Sequence, residues 1–336
     1  MNVPDEHIVR VGALGYTPEE ARFLYIVATF SGYFVPRQFL AFVNAKPGKR
    51  SDRFITKLES RGHATWREHR GAGGVYHLFS KTLYRAIDKP DLRHRRRHSS
   101  DFIRARLVLL DFILTNQAYN YLETEDDRTS YFCQTLGVPK TALPAKSFAR
   151  SYGSGPRLHY FVDKFPLFLD ESGDPTAPCV TFSYIDAGDT DTTRFAHHLR
   201  AYQRLLVSLT GFRFLYVSNS PANFFAAERA FAAFAKRGLR DELSAEIIRY
   251  FTLRDRWDRK QFESFSTEEM EWLNGANSRL GGEDTERLYT EWRSRKDARA
   301  DLATDIAGTR RAPLFRFSPW LVSQDQKTAT ELEKTG

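Results

Sequence analysis

Apolar positions recur at helical spacing in two short stretches near the beginning of the chain. The first stretch, residues 23–30, follows a capping box formed by Thr17 and Glu20 and predicts an amphipathic helix that ends at Gly32. The second stretch follows Pro36, and proline favours the first turn of a helix. The pattern therefore predicts two consecutive short helices.

A third helix is predicted over residues 49–60, with one apolar and one polar side. Phe54 and Leu58 belong to the apolar side, and Gly62 stands where a left-handed C-terminal cap is expected. At about 100° per residue, the opposite side and its flanks carry polar and cationic groups that can reach DNA bases and phosphates. These candidate contacts are Lys49, Arg50, Arg53, Thr56, Lys57 and Ser60.

After Gly62, apolar and polar residues alternate one by one, which predicts a β-hairpin. Residues 70–74 form its glycine-rich tip, and Arg67 and Arg70 bring positive charge to a second candidate contact. Three helices and then a hairpin is the order in which a winged helix-turn-helix presents one helix and one β-ribbon to duplex DNA. Two alternatives stay open, because a charged helix face is often only solvated and winged helices also bind proteins.

The positive charge of the chain is concentrated in this first segment. Lys and Arg number 50 against 42 Asp and Glu, which gives a formal net charge of +8. Residues 1–98 hold 18 basic and 9 acidic side chains, so the rest of the chain is close to neutral. Such a confined excess is the expected electrostatic footprint of a DNA-binding module. The basic run at residues 93–97 closes the segment, either as a solvated linker or as a phosphate clamp.

Composition limits the other classes of function. The chain has 336 residues, of which 41% are hydrophobic, and is long enough for two domains with buried cores. Cys133 and Cys179 lack the spacing of a zinc site, and His197 and His198 are adjacent, so we expect neither a metal nor a cofactor. We find no apolar run of membrane-spanning length and no signal-peptide pattern at the beginning, which predicts a cytoplasmic protein.

Beyond residue 99 the pattern is that of a small sheet covered by helices. Ser99 or Ser100 can cap a long first helix, and residues 118–122 read as an extended piece before an acidic loop. Residues 241–306 look helical. The predicted strands cover residues 157–162, 167–169, 179–185 and 212–217, and the other predicted helices cover residues 130–136, 192–209 and 222–236.

Four pieces of this region resemble the PD-(D/E)xK nuclease-like fold. They are VDKFPLFL at residues 162–169, FSYIDAGDT at 182–190, the helix face from Phe195 through Leu199 to Tyr202, and FLYVS at 214–218. With the preceding segment, the chain resembles the replication-relaxation family of plasmids and integrative elements over about residues 15–237. That resemblance implies a winged helix joined to a nuclease-like domain.

The resemblance does not extend to a complete nuclease site. Asp163 matches the first carboxylate, with Asp170 as an alternative, but Tyr184 and Asp186 stand where an acid and a lysine are required. Moving the register to start at Asp186 places Gly188 at the lysine position. We therefore expect no catalytic residues, although Asp186 and the next two aspartates, Asp189 and Asp191, could still gather a divalent ion.

These observations predict an α/β protein (α+β overall) in five parts. The parts are a winged helix-turn-helix domain at residues 1–90, a basic linker at 91–98, an inactive nuclease-like mixed-sheet α/β domain at 99–240, a helical extension at 241–324 and a disordered tail at 325–336. The second domain is expected to mediate homodimerisation or partner binding. The phenylalanines of residues 224–234 are assigned to the core, with a dimer surface as the alternative.

The function that fits best is sequence-specific binding of double-stranded DNA by a transcriptional regulator of a mobile genetic element. An accessory factor in plasmid replication or conjugative transfer is the first alternative. Possible partners are a relaxase, a replication initiator or RNA polymerase. A metal-dependent DNA nuclease is the second alternative.

Overall fold

Helices and strands alternate along the chain in a computed structural model that describes residues 3–69, 73–148, 157–170, 179–294 and 314–322. The protein is of mixed α/β class, with three β-sheets in the described ranges. The helices are α1 (Asp5–Gly12), α2 (Pro18–Ile26), α3 (Pro36–Phe42), α4 (Lys49–Ser60), α5 (Lys81–Ala86), α6 (Ser100–Thr115), α7 (Glu125–Ser130), α8 (Thr193–Val207), α9 (Phe224–Ala233), α10 (Leu239–Asp258), α11 (Thr267–Leu280) and α12 (Glu283–Ser294). The strands are β1 (Tyr33–Phe34), β2 (Ala64–His69), β3 (Gly73–Leu78), β4 (Asn120–Tyr121), β5 (Ala145–Phe148), β6 (Arg157–Tyr160), β7 (Leu167–Asp170), β8 (Cys179–Asp186), β9 (Gly211–Ser218) and β10 (Leu314–Leu321).

The helix signals of the first segment are confirmed. The Thr17 hydroxyl accepts from the Glu20 amide at 3.3 Å, and the Glu20 carboxylate accepts from the Thr17 amide at 2.8 Å, which is the predicted capping box. Helix α2 continues through one π-helical turn and ends at Gly32, whose φ of 77° is in the left-handed region. Gly62 follows α4 with a φ of 63°.

A three-stranded antiparallel sheet in the order β1-β3-β2 completes the first region. Phe54 of α4 stacks on Phe39 of α3, with ring centroids 4.0 Å apart, and lies against Phe34 of β1. The other face of this sheet is covered by the first half of α6, because Tyr33 and Val75 belong to one apolar cluster with residues of that helix. The small sheet therefore lies between α4 and α6.

The second region is built on a five-stranded mixed sheet in the order β10-β9-β8-β7-β4. Strands β4, β7 and β8 are antiparallel neighbours, while β8, β9 and β10 run parallel. Residues alternate between its two faces: Phe214 packs in the cluster with α8 to α12, and Leu215 packs in the cluster that holds the core of the first region. One hydrophobic core thus joins the first region to one face of the large sheet.

Buried polar contacts strengthen this junction. Arg106 of α6 donates to the carbonyls of Phe30, Asp163 and Lys164 at 3.0–3.3 Å. Burial lowers the pKa of this guanidinium to about 10. The segment predicted as a basic linker is held here as well. His94 is buried against Gly32, where an added Cβ would lie 2.8 Å from the Cβ of His94.

Four predicted strands and one predicted helix are confirmed, with each boundary within two residues of the prediction. They are the strands at 157–162, 167–169, 179–185 and 212–217 and the helix at 192–209. The helix expected at residues 130–136 begins earlier, because Thr124 caps α7 in a box with Asp127 and the acidic loop becomes its first turn. α1, α5 and β5 were not predicted.

The helical extension needs one correction, because residues 314–321 form strand β10 rather than a helix. Phe317 stacks on Phe231 at 4.7 Å on one face, and Trp320 contacts Phe112 edge-on at 5.7 Å on the other. This one-by-one alternation follows from pairing with β9, more than 90 residues earlier in the chain. Pro319 is tolerated because β10 is at the edge of the described sheet. The predicted tail at 325–336 lies outside the described residues.

Candidate nucleic-acid interface

The polar side of α4 is open to solvent, as the sequence predicted. Phe54 and Leu58 are fully buried in the core of the first region. The six side chains on the other side border a shallow groove of about 380 Å³. These groove residues are Lys49, Asp52, Arg53, Thr56, Lys57 and Ser60. A helix that buries its apolar side in the core and exposes its polar side is suited to insertion into a groove of DNA.

The cations of α4 differ in how far the protein itself neutralises them. Arg50 forms an ion pair with Glu19 of α2. Lys57 Nζ lies 2.5 Å from Glu20 Oε2, so the same carboxylate serves the capping box and this pair. The side chains of Lys49 and Arg53 make no hydrogen bond or ion pair with another described residue. The uncompensated positive charge of α4 is therefore at these two positions.

Arg67 does not join the α4 groove. In β2 it pairs with Val75, and Val75 packs toward α6, so Arg67 lies on the face of the hairpin away from α4. There it lies near Arg97. Burial raises the pKa of Tyr33, and the charges of Arg67 and Arg97 oppose this shift. Burial lowers the pKa of His77, and the same two charges lower it further. Arg70 lies outside the described residues.

The hairpin face on the side of α4 presents Trp66, which the sequence analysis did not single out. Its side chain is 52% exposed, and Trp66 pairs with Tyr76 across the hairpin. The indole lies over Gly74, where an added Cβ would come within 2.4 Å of Trp66 Nε1. Tryptophan at an alternating strand position, diagonal to a glycine, is the signal that could have identified it.

The carboxylate at the first nuclease-like position is engaged by its neighbours. Asp163 Oδ2 lies 3.0 Å from His198 Nδ1, and Asp163 Oδ1 accepts from the Tyr202 hydroxyl at 3.0 Å. Burial alone would raise the pKa of Asp163, but His198, Arg128 and Tyr202 together hold it below its ordinary value. The side chain of Asp170 lies outside the description.

Asp186 is buried at the end of β8 and accepts hydrogen bonds with both carboxylate oxygens. Oδ1 receives the amides of Gly188 and Asp189 at 2.9 and 2.8 Å. Oδ2 receives the Tyr216 hydroxyl at 2.9 Å, the Asn223 amide group at 3.2 Å and the Ser218 hydroxyl at 3.5 Å. Within the described residues, neither Asp163 nor Asp186 belongs to a group whose ligand atoms lie close enough to share a metal ion.

The neighbouring aspartates also have structural partners. Asp189 forms an ion pair with Arg194 at 2.9 Å, and Asp191 accepts from the Thr193 amide at 2.8 Å at the beginning of α8. Asp191 precedes Thr192, the N-terminal cap position of α8, so its contact forms a turn just ahead of the helix and is not a side-chain cap. The strand-end acids are thus used to fix the turn between β8 and α8.

Comparisons of the chain with protein-family models, with curated proteins and with solved structures found no match. Within the described ranges, none of the helices combines the length and the apolar character that crossing a membrane requires.

Proposed function

We propose that the protein is a sequence-specific double-stranded DNA-binding protein that reads the major groove with α4. The observation that carries the proposal is the exposed, uncompensated pair Lys49 and Arg53, beside Thr56 and Ser60, on a helix whose other side is locked in the core. An arginine in such a position can bind guanine O6 and N7 with two parallel hydrogen bonds, whereas lysine and hydroxyl groups also contact phosphates.

We propose further that the first region is a winged helix-turn-helix. The helices α2, α3 and α4, followed by the β2–β3 hairpin in a sheet of order β1-β3-β2, support this assignment. Trp66 then lies on the side of the wing that adjoins α4.

The large sheet is proposed to be a nuclease-like domain without nuclease activity. Strands β4, β7 and β8 are antiparallel neighbours, β9 runs parallel to β8, and α8 connects β8 to β9. This order supports the fold assignment. The saturated oxygens of Asp186 support the absence of catalysis, because a metal ion would have to displace five donors.

This domain would place two copies on adjacent half-sites, as specific operators usually require. Phe225 is 71% exposed and is the residue of the aromatic stretch available for such a contact, since Phe231 is buried. A regulator encoded by a mobile element is the role that we favour.

The test begins with selection of bound duplexes from a random DNA pool, followed by fluorescence-anisotropy titration of the best one. Arg53→Ala is expected to weaken binding by about 1 to 3 kcal/mol if the guanidinium contacts a base edge. The matched control is Arg200→Ala, which removes an exposed cation from α8 in the other region. Equal small losses for both variants, or failure to select any sequence, would contradict the proposal. Genomic positions of the bound sites would distinguish promoters from replication or transfer origins.

A further inference from the structure

A cavity of about 230 Å³ lies at the junction of the two regions. One wall is the end of α2 with Phe30, and a second is the basic segment with Arg93 and His94. The remaining walls come from residues 123–128 and 159–164 of the second region. Any molecule bound in the cavity would therefore contact both regions.

The carboxylates in the cavity wall already have partners, with one exception. Glu123 accepts from Lys89 Nζ at 2.5 Å and from the Tyr25 hydroxyl at 2.7 Å. Glu125 accepts from the Tyr160 amide at 2.9 Å and lies 3.3 Å from His159. Asp91 is the exception and is exposed.

The cations in the wall retain free donors. Arg128 is buried. Its Nε donates to the Leu122 carbonyl and its Nη2 donates to the Phe165 carbonyl, so its other terminal nitrogen, Nη1, is left to donate to a ligand. Arg93 stacks on the Phe148 ring at 5.0 Å and has no ion pair with a described residue. His94, which is nearly fully buried beside them, is not one of these cations, because burial lowers its pKa well below the ordinary value; its Nδ1 has no hydrogen-bond partner within the described part of the chain.

Lys164 is the most unusual of these cations. Its backbone φ of 54° is in the left-handed region, which residues other than glycine rarely adopt. Arg106 holds this conformation by donating to the Lys164 carbonyl at 3.2 Å. The ammonium group forms no hydrogen bond or ion pair with another described residue. Burial, together with the charges of Arg106 and Arg128, lowers the pKa of Lys164 to about 8.

We propose that this cavity binds an oxyanion of the phosphate class, with Lys164, Arg93 and Arg128 as its ligands. The guanidinium groups of Arg106 and Arg128 repel the half-buried ammonium group of Lys164. An anion bound beside this ammonium group would stabilise its charge. Arginine presents fork-shaped donors that match phosphate oxygens, and lysine acts as a point charge beside them. The volume is below the usual range for drug-sized ligands, so it suits inorganic phosphate or one phosphate group of a larger molecule.

The first experiment is isothermal titration of the full chain with inorganic phosphate, against sodium chloride at equal ionic strength. We expect saturable phosphate binding that Lys164→Gln weakens about tenfold or more, as loss of a charge-assisted hydrogen bond implies. Arg97→Gln is the matched control. It removes the same charge near Arg93 but outside the cavity, and its phosphate affinity should stay within about twofold of that of the original protein.

Arg93→Gln provides a second variant for the case that Lys164→Gln does not fold, because Arg93 is exposed and its loss disturbs no buried contact. It should also weaken phosphate binding several-fold. Binding that neither Lys164→Gln nor Arg93→Gln weakens would overturn the proposal. An effect of chloride equal to that of phosphate would overturn it as well.

The phosphate group has two possible sources, a free small molecule or the backbone of bound DNA. If free phosphate binds and does not compete with the selected duplex, the source is a small molecule. If phosphate competes with the duplex and Lys164→Gln weakens both, the source is the DNA backbone. The free-phosphate titration does not depend on the proposed DNA-binding function, since Arg53→Ala should leave it unchanged.

Discussion

Polar side chains are treated in opposite ways in the two regions of this protein. On α4, Lys49 and Arg53 extend into solvent without a protein partner. At the edge of the large sheet, Asp163 and Asp186 are surrounded by donors from their own chain. Groups that a protein leaves unpaired at an exposed surface are available for a ligand, whereas groups saturated inside it hold the structure together. A sequence motif does not distinguish the two cases.

The same contrast applies to the arginines. All of the net positive charge is in the first 98 residues, but Arg106 and Arg128 of the second region are buried and donate to backbone carbonyls. Burial lowers the pKa of both guanidinium groups. Arg106 is structural, and changes at it should affect folding before they affect binding. Arg128 also holds backbone carbonyls, and only its second terminal nitrogen is left for the proposed anion.

Replacement of Arg106 should have the largest effect on stability. Arg106→Met leaves the carbonyls of Phe30, Asp163 and Lys164 without their donor, and we expect the free energy of unfolding to fall by about 3 kcal/mol. Urea denaturation measures this change. Arg104→Met is the control, since Arg104 is exposed on the same helix and pairs only with Asp101 within the described residues. Equal losses for the two variants would show that Arg106 does not hold the junction.

Asp186→Ala should cost about 2 kcal/mol of stability, because five donors lose a buried acceptor. The duplex affinity of the folded variant should stay unchanged, in contrast to Arg53→Ala. Asp191→Ala, which removes an exposed acceptor just before α8, should be clearly milder in the same urea titration. Magnesium-dependent DNA cleavage that Asp186→Ala abolishes would instead support the nuclease alternative.

Asp163 should make the stability of the protein sensitive to acid. Its pKa in the folded protein lies below the ordinary value of 3.8, so its contribution is present above that value and is lost as the pH falls through the folded pKa. We expect the free energy of unfolding to decrease as the pH falls below about 4, and Asp163→Asn to make that decrease shallower. Urea titrations at a series of pH values test this. Superimposable profiles would mean that other carboxylates cause the acid sensitivity.

The smallest expected effect is at the ion pair on the rim of the proposed interface. Glu19→Gln releases Arg50, and stability should change by no more than about 0.5 kcal/mol, as is usual for exposed pairs. Duplex affinity should rise slightly, up to several-fold at low salt, because one more cation becomes available to phosphates. Glu228→Gln on α9 removes an exposed acid far from the interface and serves as the control. A lower affinity after Glu19→Gln would place Arg50 outside the contact.

The sequence alone was sufficient for elements whose signals are local. The capping box at Thr17, the left-handed glycines after α2 and α4, and the alternation of the hairpin each depend on residues within a few positions of one another. The polar side of α4 followed from helical periodicity in the same way. These features could be predicted because short-range steric and hydrogen-bonding rules fix them before the chain is compact.

Only the tertiary structure decided which polar groups found partners. Glu19 and Glu20 of α2 neutralise two cations of α4. Arg67 lies on the face of the hairpin that is turned away from α4. Strand β10 pairs with β9, about 100 residues earlier in the chain. The donors around Asp186 come from five positions, three of them at least 30 residues away along the chain. Such contacts are set by packing of distant segments in one core, and no local pattern of residues records them.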